Sequence, residues 1–434
     1  MKKYLYFLML LSMGLYAEDL SLESAVKITF ENNNEIKKIE KDMSIKELDY
    51  NKSRKMVLPK LKYSGNIMKY SEETTVFDGL PVLLAGGYEV PYYDVSYSNR
   101  LTLEQPIYAG GAISSGIKLL NISKDAEKLK YVQKKREIRQ SVIENYLTVL
   151  KLEKNKSILI NSLNELIELS KITKDSVDLQ LIQKKPLLDL NYRIADLKTS
   201  IIGIDNQIEI AKMKLKSYMG LSLDEEINLT DNEIPTIKLE NIDLKDDLNF
   251  ALENKSIIKT LEMSKEVSKA NQKIEKADLL PKVNFKMSYE LFDKTHGYDI
   301  DASDKFWTAE ISVSMNIFDF GMSYDDVKKA GKEFESKEID EKNSKDNIKI
   351  GIRASYLELQ RIEQVILVKE ESLSSAKENY RIEKDKYDVN LETSTDLLNA
   401  ENNLSKVEVE LSNAKIDMYL AYIKYVDLIE RDEI

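Results

Sequence analysis

Chemistry at a protein surface needs a nucleophile, a base, a metal ligand or a fixed charge, and this chain supplies mainly the last. Its 434 residues hold 75 Asp and Glu, one histidine, His296, and no cysteine. Cys or His nucleophile–base pairs, thiolate zinc sites and disulfides all need residue types that are missing here. A lipid on an N-terminal cysteine is excluded with them. No catalytic or cofactor constellation appears, so the chain reads as non-enzymatic. The acidic run DIDASD at 299–304 has aspartate spacing reminiscent of a calcium loop but lacks the Gly and terminal Glu of an EF-hand. That run and His296 read as surface loop, and the apolar GLPVLLAGG at 79–87 is expected to pack against neighbouring loops. The stretch to follow is TDLLNAENNL at 395–404, which holds Asp396 and echoes KPLLDLNYRI at 185–194.

The elements that must position these charges follow from composition and repetition. Charged residues make up 32% of the chain, while Gly and Pro number only 14 and 7, which favours long solvated helices. The start, MKKYLYFLMLLSMGLYAEDL, has two lysines, a short apolar run and Ala17 before an acidic pair. This is the layout of a secretory signal peptide, residues 1–17, with an apolar run too short to span a bilayer. Net charge is −11, and −13 once Lys2 and Lys3 are removed, so nucleic acid is not an expected partner.

Two copies of one pattern fill the rest. LSLESAVKITFENNNEIKKIE (20–40) lies over IDLKDDLNFALENKSIIKTLE (242–262), and Leu58–Pro59 over Leu280–Pro281, at an offset of 222. IYAGGAI (107–113) lies over IFDFGMS (317–323), and ENYLTVLKLE (144–153) over ASYLELQRIE (354–363), at 210. The twelve-residue difference falls between Pro59 and Ile107, as a longer loop in the first copy. The expected division is a first repeat at 18–220, an inter-repeat segment at 221–241 and a second repeat at 242–434. Each repeat runs helix, strand, strand, long helix, returning helix.

Strands are expected at about 60–70, 95–108, 282–292 and 306–318. In the second copy Val283, Phe285, Met287, Tyr289 and Leu291 alternate with polar residues, as do Trp307, Ala309, Ile311, Val313, Met315 and Ile317. The first copy is weaker but parallel, with Leu61, Tyr63 and Ile67 on one strand and Tyr97, Leu101, Leu103 and Ile107 on the next. Strands of this length with one apolar face match a membrane barrel, and Tyr63, Tyr97, Phe306 and Trp307 suit an interfacial girdle. From Ala112 to about Asp175, and again from Met322 to about Asp388, the pattern predicts nearly continuous helices, the first roughly 90 Å long. The returning helices carry heptads from Leu187/Leu190 to Leu215/Tyr218 and from Leu397/Ala400 to Tyr425/Leu428, which predict coiled-coil seams. A rod-like, pore-free coiled-coil scaffold of the periplasm or cell surface would account for these helices, but not for the strands.

Four strands cannot close a barrel, and an open edge in lipid leaves backbone groups unpaired at several kcal/mol each. Several chains must then share one barrel. At this point the chain resembles the TolC-like outer-membrane efflux proteins. The resemblance rests on the duplicated starts at Leu20 and Ile242, the LP before each first strand, QPIYAGG and MNIFDFG at the strand-to-helix junctions, and TDLLNAENNL. It implies an α+β membrane protein, a homotrimer with a twelve-stranded β-barrel in outer-membrane lipid. The barrel would be continued by a periplasmic α-helical coiled-coil barrel, with an equatorial region that includes 221–241. It also implies a passive exit duct of a tripartite efflux or type I secretion system, fed by an inner-membrane transporter through a periplasmic adaptor. The adaptor would contact grooves near 170–190 and 385–400, and no cofactor is implied. Asp396 matches the Asp that three-fold symmetry turns into a carboxylate ring at the tunnel entrance, where crowding would raise its pKa. Asn399 stands where a second family Asp would be. Tyr387 matches a Tyr that holds the entrance closed, and Glu392 falls at the place of its Arg partner. A reversed closing link from Glu392 to Lys185 is expected. The chain departs from the family at Asn34-Glu35 and Asn254-Lys255, where Asn-Pro is common, and at Asn390, where Gly is common.

Overall fold

The computed structural model describes residues 18–69, 95–231, 234–295, 304–389 and 391–431. The expected signal peptide, His296 and the stretches 79–87 and 299–303 lie outside the described residues, while Asp304 begins a strand. In chain order the elements are β1 (Glu18–Leu20), α1 (Leu22–Asn32), α2 (Asn34–Arg54), β2 (Lys60–Lys69), β3 (Val95–Ala109), α3 (Ala112–Asp178) and α4 (Lys185–Met219). There follow β4 (Ile227–Leu229), α5 (Leu244–Asn254), α6 (Ser256–Ala277), β5 (Lys282–Thr295), β6 (Asp304–Ser314), α7 (Met322–Asp388) and α8 (Ser394–Ile429). The chain divides into two compact units, one of Met1–Asp42, Lys128–Thr260 and Lys342–Ile434, the other of Met43–Glu127 and Leu261–Glu341.

The first unit is helical. Ser21 opens α1 with a capping box, its hydroxyl accepting from the Ser24 N–H while Ser24 accepts from the Ser21 N–H. β1 and β4 pair in parallel, and Leu20 and Ile227 carry that pair into a core with Val142, Tyr146, Leu215 and Met219. The Tyr146 hydroxyl sits 2.9 Å from the Leu20 carbonyl oxygen and 2.8 Å from an Asp231 carboxylate oxygen. A second core gathers Ala251, Ile258, Ile352, Leu359, Met418 and Tyr425, where Tyr425 donates to Asp247 at 2.7 Å. The heptad positions Leu190, Leu197, Ala211 and Leu215 are buried. The expected last position, Tyr218, is 40% exposed, and Met219 is fully buried in its place. A straight helix drifts about 20° per heptad, so five heptads move the seam by about one residue. The same drift closes α8 on buried Ile429, one residue past Leu428.

The second unit holds a four-stranded antiparallel sheet in the order β2-β3-β5-β6. Its register places side chains in rows: Leu61, Leu103, Met287 and Ala309 in one, Tyr63, Leu101, Tyr289 and Trp307 in the next. Val283 with Val313 and Phe285 with Ile311 extend the same face, and successive strand residues alternate between faces. From Val283 to Leu291 this face runs about 27 Å along the strand. The other face carries Lys62, Thr102, Ser288 and Thr308, and Arg100 holds Glu290 through two hydrogen bonds of 3.0 and 2.9 Å.

Three expectations change here. Phe306 pairs with Glu290 and so lies on the face opposite Trp307, outside any common girdle; the side chain of Tyr97 lies outside the description. A bulge between Pro106 and Tyr108 sets Tyr108, not Ile107, opposite Val283. A proline cannot donate to the ladder, and a bulge is where a sheet accommodates one. β6 ends at Ser314, so Met315 and Ile317 are not strand residues.

Candidate functional site

The expected gate residues sit where each long helix turns back. In the first repeat α3 ends at Asp178, Gln180 takes a left-handed φ of 59°, and the Leu181 N–H returns to the Ser176 carbonyl at 2.9 Å. α4 then starts with Pro186 in its first turn and no side-chain cap on Lys184. In the second repeat α7 ends at Asp388 and the Leu391 N–H returns to the Lys386 carbonyl at 2.8 Å. There α8 has a side-chain cap, since the Thr393 hydroxyl accepts from the Asp396 N–H at 3.3 Å.

The two turns share a cavity of about 500 Å³ whose lining includes Thr173, Lys185, Tyr387, Glu392 and Ser394. The structure thus brings together Tyr387, Glu392 and Lys185, while Asp396 and Asn399 stand one turn apart on the exposed side of α8. The Tyr387 and Thr173 hydroxyls are 3.4 Å apart, joining α7 to α3. Ser394 donates to Asp189 at 2.9 Å, joining α8 to α4. Among the described residues no ion pair joins Glu392 to Lys185. Glu392 faces Lys386 at 3.5 Å, which also holds Glu383 at 3.1 Å. These carboxylates, Glu383 foremost, raise the pKa of Lys386. Glu392 follows Lys386 by six positions, and the intervening turn brings the two within ion-pair distance.

Asp396 is fully exposed, and its carboxylate accepts from the Thr393 hydroxyl. That bond first, and the neighbouring Glu392 second, hold the carboxyl below the usual aspartate range. Within one chain the shift therefore runs opposite to the rise expected from a crowded ring. What this arrangement can do chemically is present fixed negative charge on a helix N-terminal turn, where the helix dipole also favours it.

Two polar clusters escaped the sequence reading. Glu401, 3% exposed, accepts from Ser162 and, at 3.3 Å, from Arg193, which also donates to Asn402 at 2.7 Å. Glu165 accepts from Tyr380 at 2.8 Å and Lys384 at 2.9 Å, with burial and then the carboxylate pushing the Tyr380 phenol up. Their only sequence signal is a charge beside a heptad position, Glu401 next to Ala400. Their partners lie more than 200 residues away, beyond any local pattern.

With the geometry known, comparison with other proteins places the chain. Residues 248–425 match the family model for outer membrane efflux protein. In structure the chain is similar to a membrane protein from Pseudomonas aeruginosa, with a TM-score of 0.80, 13% identity, and 94% of this chain and 90% of that one covered. It is similar to the CmeC outer membrane channel of Campylobacter jejuni, with a TM-score of 0.77, 16% identity, and coverage of 94% and 85%. It is likewise similar to the outer membrane protein VceC of Vibrio cholerae, with a TM-score of 0.77, 13% identity, and coverage of 94% and 95%. Comparison with curated protein sequences gives no match. The fold is that of the TolC-like outer-membrane channels. The family match lies within the second copy of the duplicated pattern, and the first copy repeats that pattern. The proteins the chain resembles in fold are outer-membrane channels, and its matched segment is that of an outer membrane efflux protein.

Proposed function

We propose that three copies of this chain form a passive exit duct across the outer membrane, fed through a periplasmic adaptor by an inner-membrane transporter. The observation that carries this reading is the sheet. One face is a band of Leu, Met, Val, Ile and aromatic side chains, the other is polar and ion-paired, and strands β2 and β6 end it on either side. A lipid-facing apolar surface with a polar interior is the pattern of a transmembrane barrel. Two edges in lipid require partners, and three copies of four strands give the twelve that close the ring. No described helix is long and apolar enough to cross a membrane.

In this reading the turns of α3–α4 and α7–α8 surround the inner end of the duct. Asp396, brought together three-fold, attracts cations and repels anions, and Asn399 leaves the ring with a single carboxylate per chain. Tyr387 holds the closed form through Thr173.

Single-channel conductance in planar bilayers tests this, with wild type and Asp396→Ala compared at low and high divalent cation. Cation-selective pores whose divalent block weakens in the variant are expected. Pores indifferent to Asp396→Ala remove the ring and keep the duct, whereas a detergent-independent protein without pores removes the duct.

A further inference from the structure

One row of the sheet carries a charge on every strand. Across β2, β3, β5 and β6 the register sets Lys60 opposite Glu104, Glu104 opposite Lys286, and Lys286 opposite Glu310. All four residues are exposed, and side chains directly opposed across strands share a face. The signs therefore run plus, minus, plus, minus over the whole width of the sheet. The row lies on the polar face, two residues along each strand from Lys62, Thr102, Ser288 and Thr308.

The duplication does not supply this pattern. Adding 222 to a β2 position and 210 to a β3 position converts the β2–β3 pairing into the β5–β6 pairing, so that Leu61 with Leu103 becomes Val283 with Val313, as observed. The same offsets carry Lys60 and Glu104 to Lys282 and Ser314, and carry Lys286 and Glu310 back to Ser64 and Arg100. Each repeat thus holds an opposite-charge pair, but the second holds it four residues further along the strand, since Ser64 stands four beyond Lys60. The β3–β5 seam sets the two hairpins out of step by the same four residues, and the pairs come level. A charge pattern that the repeats do not share, placed to match their stagger, belongs to the whole sheet.

Its electrostatic effect follows from spacing. Strands lie about 4.8 Å apart, so neighbouring charges cancel and the summed field of the row dies away within a few ångströms of the wall, inside the Debye length of about 8 Å. A row of one sign would reach the full Debye length into the water beside it. Nearby charges are matched as well. Arg100 holds Glu290 at 2.9 Å, Lys282 holds Asp278 at 2.6 Å, and Lys62 lies diagonal to Glu104.

We infer that the row of Lys60, Glu104, Lys286 and Glu310 makes the barrel section of the duct indifferent to the charge of what passes. Solutes of either sign cross it, and the choice of sign falls to the Asp396 turn. The inference rests on the duct reading and deepens it, because it concerns which solutes the polar face admits. Alternation carries the effect, not the identity of any one residue.

Reversal potentials of the full-length protein in planar bilayers, under a salt gradient, test this. Glu104→Gln with Glu310→Gln leaves two cations per chain in the row and is expected to move the permeability ratio about twofold toward anions at low salt. Lys60→Gln with Lys286→Gln should move it about as far toward cations. Both shifts should shrink severalfold in about 1 M salt, where the Debye length is about 3 Å, a dependence that a merely structural role would not produce. Reversing all four signs together, with Lys60→Glu, Glu104→Lys, Lys286→Glu and Glu310→Lys, keeps the alternation and should leave the ratio at its wild-type value. Where a double variant forms no pores, Glu310→Gln and Lys286→Gln alone should shift the ratio in opposite directions by smaller amounts. Single-sign rows that leave the ratio unchanged, or a reversed row that shifts it, overturn the inference and leave the duct standing. A wild-type protein without pores overturns the duct, and the inference with it.

Discussion

The same junction is built twice in this molecule, from different side chains. In the first repeat Asn33 separates α1 from α2. Its side-chain oxygen accepts from the Glu35 and Ile36 N–H groups at 2.8 and 3.2 Å, and its side-chain nitrogen donates to the Tyr218 carbonyl at 2.7 Å. Gly220 closes α4 at a left-handed φ of 70°, where an added Cβ would lie 2.7 Å from the Asn32 carbonyl oxygen. In the second repeat the places of Asn33, Tyr218 and Gly220 are taken by Lys255, Leu428 and Glu430. Lys255 donates to the Leu428 carbonyl at 2.6 Å but has no acceptor to offer α6. Glu430, itself left-handed at φ 61°, supplies it, accepting from the Ser256 N–H at 2.9 Å and the Ser256 hydroxyl at 2.5 Å. One amide that both donates and accepts has been divided into a cation and an anion. The lesson is that the backbone groups needing partners are dictated by the fold, while the residues that satisfy them are interchangeable as sets.

That equivalence can be broken from its weakest side. Gly220→Ala meets both a left-handed φ and a backbone oxygen, and should cost about 3 kcal/mol or more in chemical unfolding followed by circular dichroism. Glu430→Ala at the matching site adds no such clash, and loses only the cap. Asn33→Ala strips two N–H groups of their acceptor and one carbonyl of its donor in a buried setting, for about 2 kcal/mol. The exchange itself is sharper. Glu430→Gly and Lys255→Asn should each destabilise by about 1–2 kcal/mol, yet the double change rebuilds the first junction and should recover most of that loss, a coupling read from a double-mutant cycle.

Burial lowers the pKa of Lys255, more than the charge of Glu430 raises it. Its folded value lies below its unfolded one, so burying the cation opposes folding at neutral pH. The penalty is relieved as pH rises through the lowered folded pKa toward the ordinary value of about 10.4. Stability should therefore climb in that alkaline window in wild type and stay flatter in Lys255→Met. The smallest effect concerns the turns. Thr393→Ala should cost about 1 kcal/mol and let the Asp396 pKa return upward, whereas Lys184→Ala, with no cap to lose, should change stability by less than about 0.5 kcal/mol. Cation selectivity in wild type should fade only as pH falls below the usual aspartate value of about 3.9, and at higher pH in the Thr393 variant. Fading well above that value in wild type would mean that crowding of the three carboxylates outweighs the Thr393 bond.

Much of this was legible in the chain because duplication and period are global signals. The alternation at Val283–Leu291 and Trp307–Val313 marked two strands, and the offsets of 222 and 210 carry the register. What stayed hidden was local or long-range. The bulge beside Pro106 cannot be read from alternation, which it interrupts, and Phe306 beside Trp307 reads as one aromatic pair until alternation parts the rings. Asp396 stood out as a charge, but its hydrogen-bonding hydroxyl was assigned no role, and Lys386 rather than Lys185 answers Glu392 because a turn, not a symmetry match, sets that distance. Arg193 and Glu401 meet across α4 and α8 from positions 208 residues apart, where no window of sequence reaches.

The Arg100–Glu290 pair also carries information about counting. It crosses β3–β5, the seam that joins the two repeats inside one chain. The repeat offsets carry Arg100 to Glu310 and Glu290 to Met68, two residues that cannot form such a pair. The two hairpins of one chain are therefore tied by an ion pair that the repeat does not duplicate. A ring built from such chains would add staves in fours, never in twos, and the number of copies alone would set its circumference.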